Sequence, residues 1–217
     1  MRHLILVPAL ALALGISAAA KASFVQFGDQ WQEQRFSLFS SNDFGLSGET
    51  LQVGSDGTVS LLWTKLPAET QSARTAAWSW RVKRTVPATD LTRKGGDDRN
   101  LSLYFVFLPE ETARRMEGSD ILDLLDEPKV RVLMYVWGGN HETGSVLPTP
   151  YLGKRGRTIV LRPAETGEAS ERVNLAADHL AAFGEEAAIL VGLAVSADSD
   201  DTGTNIDATI KGLQLLP

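Results

Sequence analysis

The sequence predicts an all-β protein: a two-sheet, jelly-roll-like β-sandwich with one or two short helices. Three observations predict it. Apolar residues alternate with period two along most of the chain. Clusters of Gly, Asp, Asn and Ser interrupt that alternation at short intervals. Segments with helical spacing are few and short.

In chain order, the first strands are expected at 51–53 and 58–64, on either side of Ser55-Asp56-Gly57. Trp78, Trp80 and Val82 alternate with Ser79, Arg81 and Lys83. After the turn Gly95-Gly96-Asp97-Asp98, Leu101, Leu103, Phe105 and Phe107 occupy the odd positions of the next strand. Residues 110–117 follow Pro109 and are rich in helix formers, and Ser119-Asp120 is placed to cap a turn over 121–125. Val130, Val132, Met134 and Val136 alternate with Arg131, Leu133, Tyr135 and Trp137, up to the turn Gly138-Gly139-Asn140. A short strand follows at 158–161. Residues 174–183 read as a helix capped by Asn174 and stopped by Gly184. Ile189, Val191, Leu193 and Val195 then alternate with Leu190, Gly192, Ala194 and Ser196, and a final strand covers 206–216 beyond Asp201-Thr202-Gly203. About nine or ten strands in one domain bury their apolar faces most simply as two packed sheets.

The chain has 217 residues, 43% hydrophobic and 22% charged, with no cysteine. Without cysteine there is no disulfide scaffold, thiolate–zinc site, iron–sulfur cluster or cysteine nucleophile. Met1-Arg2-His3, an apolar run from Leu4 to Ile16 and Ala20-Lys21-Ala22 form a charged start, an apolar stretch and an A-x-A-like cleavage site. The run is about 13 residues, where a membrane span needs roughly 20. The expected organisation is therefore a signal peptide over 1–22 and one β-sandwich domain over 23–217. Localisation is expected to be periplasmic or secreted, with no membrane span after cleavage. The leader carries two basic residues and no acid, so cleavage takes the charge below the −6 of the full chain. An acidic exported chain without basic blocks is a poor partner for nucleic acid.

Catalytic templates are absent. There is no G-x-S-x-G elbow, no H-E-x-x-H and no phosphate-binding glycine loop. His141 and His179 stand alone in the mature chain. Acidic turns remain. Asp97 and Asp98 lie in one, Asp198 and Asp200 in another, and hard carboxylate oxygens on flexible loops are what Ca²⁺ requires. The segment from Asp198 to Gly203 opens like an EF-hand loop but has Thr209 where a bidentate Glu is needed. These four aspartates are the metal-site candidates, with a structural Ca²⁺ as the implied cofactor. Arg131, Tyr135 and Trp137 share one side of their strand and, with Asp178, are the ligand-binding candidates. Aromatic faces stack on sugar rings, and Arg and Asp bond hydroxyls. The alternative is that Tyr135 and Trp137 pack beneath the 174–183 helix.

Several segments together resemble an exported bacterial family, domain of unknown function 3047. They are Trp78-Ser79-Trp80-Arg81-Val82, Gly96-Asp97-Asp98 leading into Leu103 to Phe107, Tyr135-Val136-Trp137, Asn174-Leu175 with Asp178, Phe183-Gly184-Glu185-Glu186, and Asp198 to Gly203. The family pattern carries Arg where this chain has Ser102 and Val173, and Asn where it has Asp201. The resemblance implies export and a β-sandwich similar to galactose-binding-like and carbohydrate-binding modules. It implies no established activity.

The expected function is an exported, non-catalytic protein that binds carbohydrate or another envelope glycan. Two other readings stay open: a glycan hydrolase using paired carboxylates, and an envelope structural or interaction protein without a small-molecule site. The last expects the face of Arg131, Tyr135 and Trp137 to be covered.

Overall fold

The computed structural model describes residues 22–217. The leader expected over 1–22 lies outside them except for Ala22. Two sheets form, and their strands pair antiparallel except at one place. The six-stranded sheet runs β11 (Gly167–Asn174), β6 (Thr75–Arg84), β13 (Asn205–Leu216), β4 (Thr50–Asp56) and β3 (Asp43–Ser47), with β1 (Ser23–Phe24) also paired to β13. The seven-stranded sheet runs β2 (Gln32–Arg35), β5 (Val59–Lys65), β12 (Ile189–Asp198), β7 (Arg99–Leu108), β8 (Arg131–Trp137), β10 (Gly153–Arg162) and β9 (Val146–Thr149). β10 pairs parallel to β8.

All three helical segments form: α1 (Glu110–Arg115), α2 (Ile121–Asp126) and α3 (Leu175–Phe183). Asp120 caps α2 by accepting from the Asp123 N–H, and Asn174 caps α3 by accepting from the Ala177 N–H at 3.0 Å. Gly184 ends α3 at φ 74°, a left-handed conformation that a residue with a Cβ adopts at a cost. No described helix is long and apolar enough to cross a membrane.

The main core lies between the sheets. Trp78, Trp80, Leu51 and Ile210 of the six-stranded sheet meet Leu103, Phe105, Tyr135, Trp137 and Val195 of the other. Trp80 and Trp137 pack edge to face with centroids 5.5 Å apart, as do Phe105 and Tyr135 at the same separation. Each such side chain contributes roughly 1.5–3 kcal/mol on burial.

The seven-stranded sheet has a second apolar layer on its outer face. Val106, Val132, Met134, Val136 and Val160 pack there with Leu91 and Leu124. The centre of this sheet is therefore buried on both sides: β7, β8 and β12 are buried at nearly every position and carry long apolar runs.

Candidate functional site

Register brings the two acidic turns together. In the β7–β12 pair, Arg99 stands opposite Asp198. The turn before β7 carries Asp97 and Asp98, and the turn after β12 carries Asp200. Residues about a hundred positions apart therefore meet at one corner of the sheet.

Arg99 organises that corner. Its Nη1 donates to Asp97 Oδ2 and Asp198 Oδ2, both at 3.0 Å, and to the Asp97 carbonyl at 2.8 Å. Its Nε donates to Ser102 Oγ at 2.6 Å and its Nη2 to the Tyr104 hydroxyl at 3.1 Å. Burial works against the Arg99 charge, but Tyr104, Asp198 and Asp97 outweigh it and hold the guanidinium protonated. Tyr104 in turn shares a 3.0 Å hydrogen bond with Ser196. Asp98 is fully buried and accepts from the Thr202 N–H at 2.8 Å and the Thr202 hydroxyl at 2.6 Å.

Asp198 is the strained member. Its side chain is only 9% exposed, and among the described residues no donor reaches Oδ1. Burial pushes its carboxyl up to about 8, with Asp200 and Asp98 acting the same way and Arg99 acting against them.

These groups open into a cleft of about 350 Å³ on the outer face of the seven-stranded sheet. Leu61, Ser196, Tyr104, Met134 and Thr158 come from five adjacent strands and line it beside Asp97, Arg99, Asp198 and Asp200. Two aromatic side chains on loops complete the lining: Phe36 after β2 and Tyr151 between β9 and β10, each 56% exposed. The Tyr151 hydroxyl lies 3.4 Å from Asp97 Oδ1, and the Lys94 ammonium sits 5.2 Å from the Tyr151 ring.

Three of the four metal-site candidates are thus brought together. Oxygens of Asp98, Asp198 and Asp200 lie within 4.8 Å of one another, while Asp97 is turned to Arg99 and Tyr151.

The ligand-binding candidates are elsewhere. Tyr135 and Trp137 lie in the core between the sheets, because pairing with Leu103 and Leu101 puts them on the inner face. The Tyr135 hydroxyl donates to Asp178 of α3 at 2.6 Å, and Trp137 Nε1 donates to the Glu165 carbonyl at 2.9 Å. Arg131 pairs with Glu185 at 2.7 Å beside the Phe183 ring. That face is covered by the chain itself. These residues form no groove with Ala194 and Ser196, since the two sets face opposite sides of the sheet.

Sequence reasoning missed Arg99, Tyr104, Tyr151 and Phe36. Arg99 directly follows the Asp-Asp pair, and Tyr151 follows Pro150 in a turn. Those are the signals by which both were detectable.

Fold and cleft define a two-sheet β-sandwich with an acidic, aromatic-lined cleft on one outer face. Within that class, the chain belongs to the family described as Protein of unknown function (DUF3047), which matches residues 29–214. Among curated proteins none matches it. Among solved structures, it is similar to the xyloglucanase domain of NopAA, a type three effector from Sinorhizobium fredii, in complex with cellobiose. That likeness is 9% identical and covers 90% of this chain and 97% of that one, at a TM-score of 0.44. The family 11 xylanase from Neocallimastix patriciarum is 12% identical over 91% of this chain and 94% of that one, at a TM-score of 0.40.

Proposed function

We propose that this chain is an exported protein that binds a neutral carbohydrate in the outer cleft of its seven-stranded sheet, without turning it over. The observation that carries this reading is the pairing of half-exposed Tyr151 and Phe36 with the polar corner of Asp97, Arg99, Ser196 and Asp200 in one cleft. Aromatic faces take the apolar faces of a sugar ring, and carboxylates and hydroxyls take its edge. The excess of acid over base at this corner disfavours anionic ligands such as uronates or phosphates. Export rests on the leader over 1–22, and N-terminal sequencing of the mature protein is expected to begin at Ser23.

A screen against neutral and acidic glycans tests the ligand class. Hits are expected among neutral glycans, and Tyr151→Ala is expected to abolish them without lowering the melting temperature, because the ring is half exposed. No hits, or hits that survive Tyr151→Ala, overturn the reading.

A second reading, glycan hydrolysis, is favoured by one observation. Asp198, with its carboxyl raised to about 8, faces the same cleft as Asp200, and oxygens of the two lie within 4.8 Å. Against it, Asp198 is tied to Arg99, and the pair is closer than the roughly 5–5.5 Å of retaining or 6.5–9.5 Å of inverting glycosidases. Release of reducing ends that stops in both Asp198→Asn and Asp200→Asn would favour hydrolysis.

A further inference from the structure

We propose that Asp98, Asp198 and Asp200 bind a hard divalent cation of the calcium type, which ties the turn before β7 to the turn after β12 at the edge of the cleft. Three carboxylates offer oxygens within 4.8 Å of one another. That alone is a common surface arrangement. The further observation is Asp198 Oδ1. It is buried, no donor group of the described residues reaches it, the side chain faces the Asp200 carboxylate, and its other oxygen is already held by Arg99. Leaving such an oxygen unpaired is costly, and a cation between the three carboxylates supplies the missing partner.

The rest of the corner is arranged to leave room for it. Asp98 Oδ2 takes both Thr202 donors, while Oδ1 has only a 3.4 Å contact from the Asp201 N–H. Asp200 is exposed and provides a route in from solvent. The donors are all oxygen, with no His or Cys among them, which selects hard cations over zinc or copper. The turns are irregular loops, which suits the variable coordination of Ca²⁺ better than the strict octahedron of Mg²⁺.

The test is calorimetric titration of the chelator-treated protein with CaCl₂, beside thermal unfolding with and without Ca²⁺. Binding is expected, with a melting temperature that climbs with the logarithm of free Ca²⁺. Asp200→Asn removes one exposed ligand without touching the Arg99 pair, and is expected to weaken affinity by about tenfold or more. Asp198→Asn is expected to do the same, and Asp43→Asn, an exposed carboxylate on the other sheet, to change nothing. Failure of Ca²⁺ to bind or to move the melting temperature overturns the proposal. So does unchanged affinity in Asp200→Asn, which keeps the test valid if Asp198→Asn does not fold. Calcium binding without glycan binding overturns the carbohydrate reading alone. Glycan binding that persists in chelator, with no calcium binding, overturns the cation site alone.

Discussion

Replacing Arg99 with Met probes the electrostatic floor of the cleft. Met keeps most of the stem volume and removes every donor. The lost contacts are those to Ser102, Tyr104, Asp98's neighbour Asp97 and Asp198, all between 2.6 and 3.1 Å. Asp97 and Asp198, each under a tenth exposed, are then left facing each other with no cation between them. At pH 9, above the value of about 8 to which the Asp198 carboxyl is raised, both carboxylates are ionised, and removing the cation they share costs about 3–5 kcal/mol, because the orphaned charge stays buried. Set against a total stability of about 5–15 kcal/mol, that leaves a marginal protein. Urea unfolding followed by tryptophan fluorescence in chelator measures it. The double variant Arg99→Met/Asp198→Asn removes one of the orphaned charges, so it is expected to recover part of the loss, with a coupling above about 1 kcal/mol. A loss within the roughly 0–1 kcal/mol of exposed pairs, or strict additivity in the double variant, refutes the reasoning.

Three further outcomes are expected. Tyr135→Phe removes the 2.6 Å hydrogen bond to Asp178 and should lower stability by about 1–3 kcal/mol in urea while leaving the proposed glycan binding in the outer cleft unchanged. Gly138→Ala places a Cβ 2.8 Å from the Arg99 Cβ and 3.0 Å from its Cα, at φ 152°. The melting temperature should fall in step with a loss of about 1–3 kcal/mol. Burial holds His179 below its ordinary 6.5, so the fold keeps it neutral between Phe107 and Phe183. Its contribution is present above pH 6.5 and is lost as the pH falls through the folded value, because the unfolded chain takes up the proton first. Stability measured against pH should flatten on the acid side in His179→Leu; an unchanged profile refutes the assignment.

The strands that carry the core were readable because they are apolar. β6, β7, β8, β12 and β13 all announce themselves by alternation or by long apolar runs. β2, with sequence Gln-Glu-Gln-Arg, and β11, from Gly167 to Asn174, are edge strands that are mostly exposed, so no periodicity marks them. Which face each residue takes was harder to read. β8 and β12 are covered on both sides, so alternation identifies two faces without saying which one meets the other sheet. Tyr135 therefore faces the core while Ser196 faces the cleft, a difference that alternation alone does not give. At the site, Asp97, Asp98, Asp198 and Asp200 were legible as acidic turns. Their convergence depends on the pairing of Arg99 with Asp198, a long-range register that no local pattern encodes.

The strand order has a consequence for how such a chain is made. β12 lies between β5 and β7, and β13 lies between β4 and β6. The two strands nearest the C-terminus are thus interior strands of both sheets. Until they emerge from the ribosome, each sheet is split, with β5 and β7 or β4 and β6 presenting bare edges and half a core. Folding during synthesis therefore has little to close on, and the slow pairing of distant strands waits for the end of translation. Throughout that interval, the nascent chain exposes the surfaces that a holding chaperone recognises.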